Sequence, residues 1–458
     1  MKFIICGAGN VGTNIARYLA SEDSDVTVID KDPELVERLS NTLDVKAIEG
    51  FASHPDVLAR AGAEDADMII AVTYADEVNM VACQVAHTLF NVPRTIARVR
   101  SQTYLDPLYA DLFSSKCMPI DVIISPEIEV ARAVRRRLEI PGALEAIPLA
   151  DGLVRLIGVL CDENCPIINT PLRQLTKLFP DLQIEVVLIL RNDRPIVPGA
   201  DDVMLVGDEV YFVCAAEHTR RAMASFGHEE PDARRVVILG GGNIGMFLVK
   251  QLEKEVPDVG VTIIEYDQNR AEELAQNLRR AIVLQGDCLD NDLLEEANIG
   301  ASETVIAVTN DDETNILASL LAKRAGSQRA ITLVNKSSYA SLVTTLGVDA
   351  VVNPRAITVS TILQHIRRGR IRSVHSLRAG LAEIIEGEAL DTSSIIKQPL
   401  KDVRFPDDVI VGAIVRGNTV IMPRPDTVIL PKDRVIVLAM QAQVKRVEKM
   451  FAVRLEFF

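Results

Sequence analysis

A glycine-rich turn between two apolar runs constrains this chain more than any other feature, and it occurs twice. Phe3-Ile4-Ile5 leads into Gly7-Ala8-Gly9-Asn10-Val11-Gly12, a G-x-G-x-x-G, and Val26-Thr27-Val28-Ile29 then ends in Asp30, 18 residues after Gly12. In a βαβ unit the first glycine permits the strand-to-helix turn. The second lets backbone approach a pyrophosphate, and the third lets the helix lie close to the strand. The helix N-terminus presents free N–H groups and a positive dipole end to the anion. A carboxylate at Asp30 accepts from a ribose 2′-hydroxyl and repels a 2′-phosphate, which favours NAD-type or adenosine ligands. One such match is weak evidence. The second, Gly240-Gly241-Gly242-Asn243-Ile244-Gly245, also follows an apolar run, and Val261-Thr262-Ile263-Ile264 ends in Glu265, 20 residues after Gly245.

The rest of the chain is doubled as well. AVTYADEVNMVA at 71–82 returns as AVTNDDETNILA at 307–318 with seven of twelve positions identical, an internal duplication rather than shared composition. RNDRPIVPGADDVMLVGDEVYFV at 191–213 lines up without gaps on RGNTVIMPRPDTVILPKDRVIVL at 416–438. From residue 1 to about 120 the pattern alternates strands at 2–6, 26–30, 45–48, 68–72, 95–99 and 120–124 with helices at 10–20, 33–41, 54–61, 77–90 and 101–114. Such alternation predicts a parallel sheet covered on both faces. Residues 143–222 change texture, with strand-like segments at 153–161, 184–191 and 209–214 and a loop with a short helix over 166–179.

The expected fold class is α/β: two Rossmann-like parallel-sheet domains, each followed by a small α+β domain, in the order A-B-A′-B′. The expected bounds are 1–124, a linking helix at 125–142, 143–226, then 233–352, a linking helix at 353–372, and 373–458. The first linking helix carries Arg132, Arg135, Arg136 and Arg137, a run that reads as a solvated face, with a hinge or subunit contact left open.

Composition excludes several classes. A net charge of −15 argues against general nucleic-acid binding. The longest apolar runs are far shorter than the roughly 20 residues of a bilayer span, so no direct membrane insertion is expected. The sequence reads as soluble and intracellular. Cys161 and Cys165 lack the second pair or histidines of a metal site and read as reduced thiols; no metal is expected.

The two copies differ in charge. Arg98 and Arg100 alternate onto one face of the fifth strand, an arrangement suited to a phosphate chain, with surface salt bridges as the plainer reading. Their counterparts are Leu333 and Asn335, so the second site is expected to rely on backbone amides. Asp287, where the first copy has Phe51, reads either as a further polar contact to an adenosine or as a helix N-cap. Thr73 and Thr309 end the fourth strands, where doubly wound sheets bind ligands. Asp76, Glu77, Asp312 and Glu313 read as first-turn acids favoured by the helix dipole, with a cation site as the alternative.

GAGNVG, the acid at Asp30, EGFASHPDVL at 49–58, AVTYADEVNMVACQVA at 71–86, IARVR at 96–100 and ISPE at 124–127, with their second-half partners, resemble the peripheral regulatory subunits of bacterial Trk potassium uptake systems. That family joins two RCK/KTN nucleotide-binding units, each followed by a TrkA-C unit, and the resemblance spans essentially the whole chain. It implies a homo-oligomeric ring on the cytoplasmic face of the inner membrane, docked on an integral-membrane potassium-translocating partner. NAD(H) or ATP/ADP would alter the ring and so the gate. The family's nucleotide contacts map onto Gly7 to Val11, Asp30, Thr73, Tyr74 and Arg98, and in the second copy onto Gly240 to Gly245 and Glu265.

The contrasting reading is an NAD-dependent oxidoreductase. It needs a proton donor or acceptor beside the nicotinamide. Of six histidines only His54 falls near the expected ligand edge, and Ser53-His54-Pro55 also reads as a helix start. The expectation is a regulator that performs no reaction.

Overall fold

The computed structural model describes residues 1–22, 24–114, 117–178, 183–230, 232–366 and 371–451. In the first parallel-sheet domain, strands β1 (Lys2–Cys6), β2 (Asp25–Asp30), β3 (Lys46–Glu49), β4 (Met68–Ala71), β5 (Thr95–Arg98) and β6 (Val122–Ile124) lie in the order β3-β2-β1-β4-β5-β6. Helices α1 (Asn10–Ser21), α2 (Pro33–Thr42), α3 (Pro55–Arg60) and α4 (Asp76–Phe90) connect them. β1 pairs in parallel with both β2 and β4, so the order in which successive strands are added reverses beside β1, which makes the switch point where such folds take ligands. The strands are short and buried on both faces. Ile4, Cys6 and Ile69 face one core, while Phe3, Ile5 and Ile70 face the other.

One expected helix is different. Residues 101–114 form two 3₁₀ turns, Gln102–Leu105 and Pro107–Phe113, broken at Asp106. Pro107 holds Asp106 in extended backbone (φ −62°, ψ 131°), and the Asp106 side chain caps the second turn.

Helix α5 (Pro126–Glu139) leads to the first α+β domain, in which β7 (Glu145–Leu149), β8 (Val154–Leu160), β9 (Ile184–Arg191), β10 (Arg194–Ile196) and β11 (Glu209–Ala215) form the antiparallel sheet β10-β9-β11-β8-β7. Helices α6 (Leu172–Leu178) and α7 (Thr219–Ser225) complete it. Strands β7 and β10 were not expected from the sequence.

The second parallel domain repeats the first. It is built from β12 (Arg235–Leu239), α8 (Asn243–Glu255), β13 (Gly260–Glu265), α9 (Gln268–Asn277), β14 (Ile282–Gln285), α10 (Asn291–Glu296), β15 (Thr304–Ala307), α11 (Asp312–Arg324), β16 (Arg329–Leu333), α12 (Ser337–Thr345) and β17 (Ala350–Val352). The sheet order is β14-β13-β12-β15-β16-β17. After α13 (Pro354–Ile366), the strands β18 (Ile371–Leu377), β19 (Ala382–Glu388), β20 (Val409–Arg416), β21 (Thr419–Ile421) and β22 (Arg434–Met440) repeat the antiparallel sheet, closed by α14 (Val444–Phe451).

The linking helices do not stay with the domains they follow. Contacts group Asn353–Ile366 with Met1–Ala131, and Ile362, Leu363 and Ile366 of α13 are buried against Ile15 and Leu19 of α1. The expected tail of that link, residues 367–370, lies outside the described residues. In the other unit, Arg329 at the start of β16 donates to the carbonyls of Arg137 (3.1 Å) and Ala143 (3.0 Å), capping the end of α5. Arg135 joins Glu139 of its own helix and, at 2.6 Å, Glu255 at the end of α8. Arg137 donates to the Leu144 carbonyl. Arg135 and Arg137 therefore dock on neighbouring elements, whereas Arg132 of the same run is exposed as expected.

Burial, with the charge of Arg136, pushes the His375 imidazole of β18 down to about 4. The folded value lies below the ordinary 6.5, so across that window the unfolded chain binds a proton that the folded chain excludes. Stability therefore falls as pH drops from 6.5 towards 4. The stability difference between the parent and His375→Gln in denaturant titrations should change there, by at most about 1.4 kcal/mol per pH unit, and stay constant above pH 7.

Candidate functional site

The first crevice is made mostly of backbone. Gly7 turns at φ +112° as β1 ends, and its N–H donates to the Ile29 carbonyl at 2.8 Å. A Cβ on Gly12 would lie 1.8 Å from the Gly7 carbonyl oxygen, so no side chain fits at that position in the first turn of α1. Around Gly9 a Cβ would meet nothing within 4 Å, which leaves that edge of the loop open. No side chain caps α1 and its first turn carries no acid, so its leading N–H groups and dipole face the crevice. The second crevice matches: Gly240 has φ +109°, and a Cβ on Gly245 would lie 2.1 Å from the Gly240 carbonyl oxygen.

Asp30 braces the loop. Its carboxylate accepts from the N–H of Ala8 at 2.6 Å and from that of Asp32 at 3.0 Å. Glu265 does the same for Gly241 (2.6 Å) and Asp267 (2.9 Å). The longer acid explains a local difference between the copies. A Cβ on Gly241 would meet Leu274 Cδ1 at 2.3 Å and the Glu265 side chain at 2.9 Å, whereas Ala8 is fully buried without conflict.

Thr73 and Thr309 stand across from the glycines, just past β4 and β15. Each hydroxyl donates to an asparagine carbonyl oxygen at 2.7 Å, Asn79 in the first copy and Asn315 in the second. Those asparagines, fully buried, also accept from the threonine N–H at 2.8 Å and donate to the threonine carbonyl. They donate again to the carbonyl of Arg98 or Leu333 on the next strand. One amide thus ties the two strand ends that wall each crevice. Sequence reasoning passed over Asn79 and Asn315, although both are among the identical positions of the repeat.

Charge separates the copies. Arg98 Nη2 donates to the Thr73 carbonyl at 2.7 Å, while its buried Nε has no partner. Burial and then the Arg100 charge lower its pKa. β5 ends at Arg98, so Arg100 lies beyond the strand. There its Nε donates to Glu127 at 3.0 Å and its guanidinium sits 5.9 Å from the ring of the exposed Tyr74. In the second copy Leu333 is buried. Arg270, with no basic counterpart at Leu35, donates from Nε to the Gly241 carbonyl at 2.8 Å and pairs with Glu273 at 2.7 Å. The second loop therefore has a guanidinium of its own, brought by α9.

The first-turn acids are structural. Asp76 accepts from the N–H groups of Arg100 and Ser101, and Asp312 from those of Asn335 and Lys336. Asp287 is exposed and accepts from the Leu289 N–H, whereas the N-cap of α10 is Asp290. His54 stacks on Phe51 with centroids 5.3 Å apart. Among the described residues no group of three or more His, Cys, Asp or Glu is placed to hold a metal, and no helix is long and apolar enough to cross a membrane. A cavity of about 980 Å³ on the first α+β domain is lined by Arg155, His218 and Glu229, among others, and by no glycine-loop residue.

The TrkA-N domain family matches residues 3–126 and 236–354, and the TrkA-C domain family matches 156–227 and 387–452. The chain belongs to the TrkA family. The Trk system potassium uptake protein TrkA of Azorhizobium caulinodans is 50% identical over 458 residues, covering 100% of both chains. That of Halomonas elongata is 42% identical, again over 100% of both. TrkA relatives thus carry the name of transport proteins rather than of enzymes. A crystal structure of the GsuK RCK domain covers 99% of this chain and 95% of its own, with a TM-score of 0.59 at 18% identity. It shares the fold of two parallel-sheet domains, each followed by an antiparallel sheet.

Asn79→Ala should leave the Thr73 N–H, the Thr73 carbonyl and the Arg98 carbonyl without their shared partner. The expected loss is about 1–3 kcal/mol. Differential scanning calorimetry should show it as a lowered midpoint, and no shift would mean that the amide ties nothing.

Proposed function

We propose that the chain is a nucleotide-sensing regulatory subunit of a Trk-type potassium uptake system. It binds NAD(H), ATP/ADP or both in its glycine crevices and gates an integral-membrane potassium-translocating partner, as a homo-oligomeric ring at the cytoplasmic face of the membrane. The observation that carries this reading is the doubled crevice on a chain related end to end to TrkA proteins: twice, a helix start that no side chain caps faces a wall held by a buried asparagine.

The geometry favours anions. The leading N–H groups of α1 and α8 take a pyrophosphate, while Asp30 and Glu265, already committed to the loop, keep it in shape and disfavour a 2′-phosphate. In the first crevice Arg98, with its Nε unpartnered, reaches the distal phosphates. Arg100 and Tyr74 lie at the outer rim. In the second, Arg270 serves the loop side, Thr309 the wall, and the exposed Asp287 remains a candidate adenosine contact. A ligand moves a gate only through unequal affinity for its two states, and a charged tail that contacts Arg98 in one state alone supplies that difference.

Titration calorimetry of the purified chain with ATP, ADP, NAD and NADH tests the reading. Heats from at least one adenylate or dinucleotide are expected, together with copurification of a membrane potassium transporter. Turnover of NADH by the chain would reject the non-enzymatic role. Arg98→Gln should narrow the ratio of ATP to ADP dissociation constants by about tenfold, roughly one charge-assisted contact. An unchanged ratio would remove Arg98 from the phosphate path.

A further inference from the structure

The two antiparallel domains share one apolar core. Leu156, Leu188 and Val213 of the first lie in a single cluster with Ile384, Ala413 and Leu438 of the second. The sheets come close enough that a Cβ on Gly412 would meet Val213 Cγ2 at 2.8 Å. The duplicated domains present the same kind of face to each other, and an apolar face of this kind could equally cover a second copy of itself. The charges at its edge are not duplicated.

Backbone pairing fixes which residues correspond. Glu209 opens β11 opposite Leu190 as well as Leu160, and Arg434 opens β22 opposite Glu388 as β20 ends. Each stands at the same register position in its sheet. The turn Ala150–Gly152 before β8 corresponds to Arg378–Gly380 before β19, and in each the residue after the turn bonds back to its first carbonyl. Across the interface Glu209 of the first domain accepts from Arg378 Nε of the second at 2.9 Å. At the equivalent point of the other half, Arg434 of the second domain donates to Asp151 of the first at 2.6 Å and to Glu386 at 2.7 Å. The Ala150 N–H also donates to Glu386 at 3.0 Å. Glu209 and Glu386 are only 8% and 3% exposed, so each carboxylate depends on its partner.

The signs are opposite in matching elements, although within the turn Asp151 is the second residue and Arg378 the first. The strand position is acidic in the first domain and basic in the second, and the turn is acidic in the first and basic in the second. If the first domain docked on another first domain, the buried Glu209 would meet Asp151. If the second docked on another second, Arg434 would meet Arg378. Only the mixed pairing satisfies both edges.

We propose that these residues form a charge key, so that the apolar face of each antiparallel domain is built for the other antiparallel domain of the same chain and is barred to a copy of itself. Repulsive elements of this sort set specificity where attraction alone would leave two outcomes.

The test uses the full chain. Glu209→Arg sets two guanidiniums against each other inside the chain and makes a pairing between two first domains complementary, through Asp151. Its backbone amides in β9 and β20 should lose at least tenfold in hydrogen-exchange protection, and its mass by light scattering should rise above that of the parent. Glu209→Arg with Arg378→Glu makes the mixed pairing complementary again, so hydrogen-exchange protection should return to the parental value, whereas the mass should not, because pairings of like domains are complementary in this variant as well. That recovery separates lost docking from a misfolded single variant. Unchanged protection in Glu209→Arg, unchanged mass while protection falls, or a double variant whose protection is no better than that of the single would each overturn the key.

Discussion

Each parallel-sheet domain depends on one close approach, the start of a helix resting against the carbonyl of the strand-ending glycine. Because Gly12 and Gly245 offer no Cβ, α1 and α8 can begin within contact of Gly7 and Gly240. That contact sets the helices over the sheet and aims their free N–H groups at the switch point. A Cβ on Gly7 would meet the Thr73 backbone at 3.1 Å, so the neighbouring strand end is held equally near. The crevice is therefore fixed by main chain. The acids at the strand ends brace it and are not free groups awaiting a ligand. Donors held this way need little reorganisation when an anion arrives.

Duplication preserved what the backbone requires and released what it does not. Asn79 and Asn315 make the same set of bonds within a few tenths of an ångström, as do Asp76 and Asp312 in holding the segment after the fifth strand. Side chains outside that shared frame have diverged: Arg98 against Leu333, Leu35 against Arg270, Glu209 against Arg434. A chain with two alike frames can thus hold two unlike pockets and two unlike edges.

The parallel sheets were legible in the sequence because their signals are local: short β-branched runs, glycines at fixed offsets and an acid at the end of the second strand. Asn79 was visible as a repeated letter but not as a function, since its role depends on how residues 73 and 98 come together across two strands. Pro107 was in plain view, yet the strand–helix alternation placed one continuous helix over 101–114. Arg270 had no counterpart to draw attention to it. The arginines of α5 read as solvated because an amphipathic helix does not state which surface it will meet, and Arg135 finds Glu255 more than a hundred residues away. The same blindness hid the destination of α13.

That destination has a consequence for how the protein is made. Ile15 and Ile362 share one core, so α1 emerges from the ribosome long before the residues that cover it. At about 5–20 residues per second the interval is roughly 20–70 s, during which an apolar helix face has no native cover. The first domain to be translated is in this respect among the last to be finished, and the nascent chain has reason to engage a chaperone over α1 until α13 arrives.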